Sequence, residues 1–263
     1  GDSYEGVALS WTQEIPSATF RVRRGITDDP AAMTTLAETS ATTLNDTSAT
    51  PLRVYFYQVE LLDGEGVVLG SSGIESGYRE LAAPGGLSAS DSVFDNRIAL
   101  SWNAVSGAES YRIHRRIGGG DFTVWKTITE TFVDDTEAPA GAIVQYQVQS
   151  LNSHGAGEVS SIESGRRRVV NPDGLSVSLG VVLGELVLTW NAAEGADSYV
   201  IYQGNTSDSD DAVAIGTSDS TTFHDATTEA GVTYHYWIAA VDEGDENDLG
   251  GASSEATAGN AMT

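Results

Sequence analysis

Hydrophobic and polar residues alternate along most of this chain in short runs broken by turn residues. In Val7-Ala8-Leu9-Ser10-Trp11 the large apolar side chains fall on every second position. That period of two predicts a strand buried on one face. The same pattern returns in Ile98-Ala99-Leu100-Ser101-Trp102 and in Leu186-Val187-Leu188-Thr189-Trp190. Nine positions after each tryptophan an aromatic residue (Phe20, Tyr111, Tyr199) opens a second alternating run. Arg53 to Leu62, Val144 to Leu151 and Tyr234 to Val241 are dense in β-branched and aromatic residues and predict the strongest strands. No stretch keeps a helical period. Short strands with turn signals every 8 to 12 residues predict an all-β chain of β-sandwich type.

The three tryptophans stand 91 and 88 positions apart, too far for a solenoid unit. Each repeat is therefore expected to be a domain: 1–82, 83–170 and a strongly acidic 171–263. Pro84-Gly85-Gly86-Leu87-Ser88 opens the second, and Pro172-Asp173-Gly174-Leu175-Ser176 opens the third. Proline fixes φ and lacks a donor, which suits a strand entry. Only six residues precede the first tryptophan strand, so the leading strand of that repeat is expected to be short or missing. The joints are short, which favours a semi-rigid array over loosely strung beads.

Taken together, these residues resemble tandem fibronectin type III domains of the bacterial exported kind. The resemblance rests on Leu100 to Ile113, on Thr131 to Asp135 and Thr221 to Asp225, and on Tyr234 to Val241. It implies three immunoglobulin-like sandwiches, each of seven strands in two sheets, with no catalytic residues and with spacer, adhesion and protein-binding roles. It also implies a tyrosine at the start of the sixth strand, matched by Tyr55 and Tyr234 but replaced by Val144 in the second repeat.

Composition narrows the function. The chain of 263 residues carries a net charge of -25 and a pI near 4.1, which argues against nucleic acid as a partner. There is no cysteine, hence no disulfide framework or thiolate metal site. No apolar run is long enough to span a membrane. Lys126 is the only lysine. Many carboxylates with few lysines suit an exported or salt-bathed protein. The start Gly1-Asp2-Ser3 resembles the residues next to the lipidated cysteine of a bacterial lipoprotein, so a lipid anchor before residue 1 is an expectation.

Signatures of hydrolases, nucleotide-binding loops and zinc proteases are absent, and no enzyme activity is expected. The tryptophans and their aromatic partners are expected in the cores. No cofactor is expected, with Ca²⁺ as the one candidate. It would be held by Asp208, Asp210 and Asp211 in one acidic loop, or by Asp242, Asp245 and Asp248 in another. Neither loop has EF-hand spacing, and solvated acidic loops are the plainer reading.

Two partner-binding surfaces are expected. The charge is uneven: -7 in residues 1–82, -2 in 83–170 and -16 in 171–263. The second repeat holds Arg112, Arg115, Arg116 and the run Arg166 to Arg168. The resemblance places their strands in one sheet, so Arg112, Arg116, Arg166 and Arg168 are expected to form a basic patch for an acidic partner. In the third repeat, Val200, Tyr202, His235 and Trp237 take outward positions that are mostly polar in the other two. They are expected to form an exposed apolar-aromatic interface, unless the loop Gln203 to Ala212 folds over them. The function expected is a non-catalytic protein-binding or scaffolding array in the periplasm or at the cell surface. It would be an accessory subunit of a larger assembly on the outer face of a bacterial membrane, or part of an adhesin. The alternatives are a carbohydrate-contacting spacer of a secreted polysaccharide-degrading enzyme and a Ca²⁺-stiffened adhesion segment.

Overall fold

The computed structural model describes residues 4–12, 15, 17–170, 172–179, 185–229 and 231–242, with the backbone of 256–257. The alternating runs become strands arranged three times over in the same order. In the first repeat, β1 (Val7–Ser10) pairs with β4 (Thr43–Asp46). A second sheet runs β3 (Thr34–Thr39), β2 (Thr19–Gly25), β5 (Tyr55–Leu62), with β6 (Val68–Ser71) and β7 (Glu75–Gly77) sharing the far edge of β5.

The second repeat adds a leading strand. Its first sheet is β8 (Ser88–Ala89), β9 (Ile98–Ser101), β12 (Phe132–Asp135). Its second is β11 (Thr123–Ile128), β10 (Ser110–Ile117), β13 (Val144–Asn152), then β14 (Gly155–Val159) and β15 (Glu163–Gly165) on the β13 edge. The third repeat has β16 (Ser176–Leu179), β17 (Leu186–Thr189), β20 (Thr222–Asp225) in one sheet. The other is β19 (Val213–Ser218), β18 (Ser198–Gly204), β21 (His235–Val241), β22 (Ala256–Thr257). All strand pairs are antiparallel. Among the described residues β1 pairs with β4 alone.

Apolar positions of facing sheets meet between them. The second core holds Ile98, Leu100, Trp102, Tyr111, Ile113 and Val148, and the third holds the equivalent Leu186, Leu188, Trp190, Tyr199, Ile201 and Ile238. Each tryptophan meets its aromatic partner edge to face, at 5.6 Å for Trp11–Phe20, 5.6 Å for Trp102–Tyr111 and 5.3 Å for Trp190–Tyr199. Such pairs add roughly 0.5–1.5 kcal/mol beyond the area they bury. The tyrosine that opens the sixth strand also behaves as the sequence implies. Tyr55 Oη donates to Thr50 Oγ1, and Tyr234 Oη accepts from the Glu229 amide at 3.0 Å, while Val144 fills the position with no hydroxyl.

A polar feature recurs in all three cores. The last residue of β4, β12 and β20 is a buried aspartate: Asp46, Asp135 or Asp225. Each accepts a tyrosine hydroxyl from the opposite sheet, Tyr57 at 2.9 Å, Tyr146 at 2.7 Å and Tyr236 at 2.7 Å. Each also accepts the backbone amide two residues on, from Ser48, Glu137 or Thr227. A side chain from β2, β10 or β18 completes the cluster: Arg24 at 2.7 Å, Arg115 at 3.0 Å, but Gln203 at 2.6 Å in the third repeat. Burial and donation to the carboxylate push all three phenols well above their ordinary range.

Burial pushes the Asp46 carboxyl up, but hydrogen bonds from Ser48, Arg24 and Tyr57 outweigh it and leave the group below the usual aspartate range. Its folded form therefore binds the proton more weakly than the unfolded chain. The stabilisation is complete above the ordinary aspartate range and is lost as the pH falls through the lower folded value. Acid titration of the first repeat should show this slope by amide exchange of β5, and Asp46→Asn should flatten it. Asp135→Ala should destabilise the second repeat by about 3 kcal/mol, because Arg115 is left beside an empty site. Exchange rates of the β13 amides would measure this, and unchanged rates would contradict it.

Candidate interaction site

The sheet that carries β2, β10 and β18 turns one face outward, and its chemistry changes from repeat to repeat. In the first repeat it is ionic. Arg21 contacts Glu38 at 2.8 Å and Glu60 at 3.4 Å, and Arg23 contacts Glu60 at 3.2 Å. In the second it is an amide ladder. Arg112 donates to Gln149, Arg116 to Gln145, and Gln147 and Gln149 donate to backbone carbonyls of Ser160 and Gly157. Arg116 also lies over the Phe122 ring at 4.5 Å. In the third it is aromatic.

The expected exposed patch of Val200, Tyr202, His235 and Trp237 requires correction. Trp237 is only 5% exposed, and Ala239 on the same face is also buried. Val200, Tyr202 and His235 are half-buried. Tyr202 pairs across the strands with Trp237, and His235 stacks on the indole with ring centroids 6.3 Å apart. The physical reason is Gly204. The indole lies against it so closely that a Cβ there would come 3.2 Å from Trp237 Cζ3. A glycine at the end of β18 thus lets the outward ring fold down onto the sheet. Both faces of β21 are consequently covered, whereas β13 alternates between buried and half-exposed positions. Stacking of a sugar ring on Trp237 loses its basis.

The arginines also separate. Arg112 and Arg116 share the outward face of β10, half-buried. Arg166 does not join them: it is 5% exposed and makes a buried ion pair with Asp242 of the third repeat at 3.0 Å. Arg167 reaches the Ala138 carbonyl at 3.0 Å and Glu194 of the third repeat at 3.2 Å. Arg168 is half-buried, and its amide donates to the Phe94 carbonyl at 2.8 Å. The basic run is thus mostly a joint between repeats, not one patch for an outside partner. Sequence could not separate these roles, because the partner carboxylate lies 76 positions from Arg166.

Asp242 serves that same joint. Asp208 caps a 3-10 turn at Ser209–Asp211 by accepting the Asp210 amide at 3.0 Å. Asp29 caps Pro30–Ala32 in the first repeat in the same way, at 2.9 Å. Asp210 and Asp211 are exposed, and among the described residues no group of three metal-ligating side chains occurs. Asp245 and Asp248 lie outside the described residues, as does Gly1-Asp2-Ser3.

The joints contain a second element, one that strand periodicity does not reveal. Leu81 is 1% exposed, its carbonyl packs directly on Gly157 of β14, and Ser150 of β13 donates to the next carbonyl, of Ala82, at 2.5 Å. Val169, also 1% exposed, belongs to the core of the third repeat. Both precede their tryptophan by 21 positions, a spacing that could have flagged them. Asn152 of the second repeat donates to the Pro51 carbonyl of the first at 2.9 Å. Gly141 and Gly195 pack backbone to backbone across the second joint.

The chain is similar to solved structures of fibronectin type III domains. A two-domain fibronectin type III segment of chicken tenascin matches with a TM-score of 0.50 and 17% identity, over 67% of this chain and 98% of that one. The FN1–FN3 domains of chicken CNTN1 match all of this chain and 96% of theirs at 15% identity, with a TM-score of 0.34. A Fn3-like protein from Clostridium thermocellum is 33% identical over 33% of this chain and 92% of its own, with a TM-score of 0.31. No protein-family model and no curated protein matches the chain.

The burial of Trp237 makes a prediction opposite to that of an interface residue. Trp237→Ser should destabilise the third repeat by about 3–5 kcal/mol. Thermal unfolding would detect this, and an unchanged midpoint would restore the exposed-patch reading.

Proposed function

Because the chain is folded as tandem fibronectin type III-like domains, we infer that it acts as a non-catalytic spacer and protein-binding array outside the cytoplasm. Its task in this reading is to hold binding faces at fixed relative angles. The observation that supports it most is the joint between the second and third repeats. An ion pair buried between domains requires close geometry, because either charge alone would be stranded. With Val169 in the third core and Arg167 spanning to Glu194, the joint resists bending more than a free linker would. An array of this kind suits an accessory subunit of a larger assembly on the outer face of a bacterial membrane. The same geometry would serve an adhesin stalk. No helix among the described residues is long and apolar enough to cross a membrane.

The faces that would meet a partner are the outward faces of the β2, β10 and β18 sheets. Arg112 and Arg116 are the basic groups remaining on the second repeat's face, and they fit a carboxylate-bearing partner. Each arginine is already held by a glutamine, so it is placed before a partner arrives.

Arg166→Met should loosen the array while leaving the three domains folded. Small-angle scattering of the full chain should then show a broader range of interdomain distances. An unchanged scattering profile would count against the rigid-spacer reading. Crosslinking in native membranes tests the accessory-subunit role. Recovery of the chain in a larger complex, with Arg112→Glu and Arg116→Glu weakening capture, is the expected result. Recovery only as an uncrosslinked single chain would overturn that role.

A further inference from the structure

We propose that the outward face of the second repeat docks an extended acidic segment of a partner polypeptide. One carboxylate of that segment meets Arg112, and a second, four residues on, meets Arg116. This rests on the protein-binding reading and names the face used and the chemistry of the partner.

Strand register sets the same positions of the three repeats side by side. In the first, Arg21 follows Phe20, lies between Glu38 of β3 and Glu60 of β5, and makes an ion pair with each. In the second, Arg112 follows Tyr111 in the same way, but its neighbours are Thr127 of β11 and Gln149 of β13. Both acids have given way to neutral residues while the arginine remains. In the third, Val200 stands between Thr217 and Ala239. Towards the end of the strand the second repeat departs again. Arg116 lies across from Gln145, where the first repeat has Gly25 across from Phe56 and the third has Gly204 across from His235. An arginine is thus added where the other two repeats have no side chain.

The result is two cations with no acid to match them. Arg112 and Arg116 donate to the side-chain oxygens of Gln149 and Gln145 at 3.3 and 2.7 Å, and among the described residues neither pairs with a carboxylate. A neutral amide orients a guanidinium but leaves its charge in place. The chain as a whole carries a net charge of -25, so this face is a local exception. It selects an anionic group by charge complementarity.

Spacing defines the form of the partner. Arg112 and Arg116 are four residues apart on β10, roughly 13 Å at the rise of a strand. They project to one side, with His114 between them. An extended segment laid along β10 has the same two-residue period, so two acids separated by three residues reach both guanidiniums. Glu109 lines the cleft beside Arg112, together with Ser110, Ser153 and His154. An acid adjoining the first would meet that like charge, so spaced carboxylates fit this face and a run of acids does not. A polysaccharide is disfavoured, because the Phe122 ring that could stack on a sugar lies under Arg116 at 4.5 Å.

The test uses the full chain, isotope-labelled for NMR, and two synthetic serine peptides of equal composition. One carries two glutamates separated by three serines, and the other carries them side by side. The salt is set at about 0.15 M, where a screening length of about 8 Å hides the distant acids of the chain. The spaced peptide should shift the side-chain amide signals of Gln145 and Gln149 and bind about fivefold more tightly than the other. Arg116→Gln should weaken it about fivefold, the upper end for a surface ion pair. Thr127→Glu combined with Gln149→Glu installs the two acids of the first repeat around Arg112. This variant should keep the thermal midpoint and lose the shifts at Gln145, so the test stands even if Arg116→Gln unfolds. No shifts with either peptide, equal affinity for both, or full binding by the double variant would overturn the proposal. Shifts from a sulfated polysaccharide but not from the spaced peptide would overturn it too, by assigning the face to a sugar polymer. Failure here leaves the scattering result on the joints unaffected, so the two readings can fail separately.

Discussion

A buried carboxylate must find donors or leave the interior, and this chain meets that demand three times at one place. Asp46, Asp135 and Asp225 sit where the short sheet of each sandwich ends, and each is gripped by a tyrosine from the longer sheet. The contact fixes the separation and the register of the two layers more narrowly than aliphatic packing could, because a hydroxyl has only a few tenths of an ångström in which to bond well. The apolar core then fills a space whose walls are already placed. The cation is the adjustable member. Arginine provides it twice, and in the third repeat Gln203 provides two neutral bonds, to Asp225 and to Tyr236. Hydrogen bonding, not charge pairing, is thus the common requirement.

The same freedom to vary around a fixed frame governs the outward faces and the joints. One sheet geometry supports an ion network, an amide ladder and a buried indole, since outward positions are free to vary once the inward ones are set. At the joints the free faces are covered: Leu81 and Val169 are buried against a domain, and Arg166 is committed to Asp242. The third repeat has no lysine or arginine of its own. It therefore relies on its neighbour for the cation opposite a buried acid.

Much of this was legible in the sequence. Period-two alternation located the strands, and the repeat spacing gave the number of sandwiches, because strand burial is a one-dimensional signal. The tyrosine of the sixth strand and its replacement by Val144 were equally plain. The aspartate cluster was not, although Asp46, Asp135 and Asp225 recur in step. A carboxylate at a strand end reads as a turn residue until a tyrosine is seen above it. Trp237 was misplaced for a related reason. Alternation told correctly which way the side chain leaves the strand but not that Gly204 lets it lie down. Arg166 looked like surface charge because its partner is distant in sequence and belongs to another domain. Such pairings depend on how two folded bodies meet, which no local pattern encodes.

The ion pair of Arg166 with Asp242 also carries a consequence in time. Synthesis runs from the amino terminus, so the second repeat leaves the ribosome while Asp242 is still unmade. Arg166 is then waiting at a finished surface when the third repeat begins to close. The acidic domain inherits a template. The end of β21 settles against a neighbour already formed, so these repeats assemble in one direction, with the most highly charged of the three following the other two.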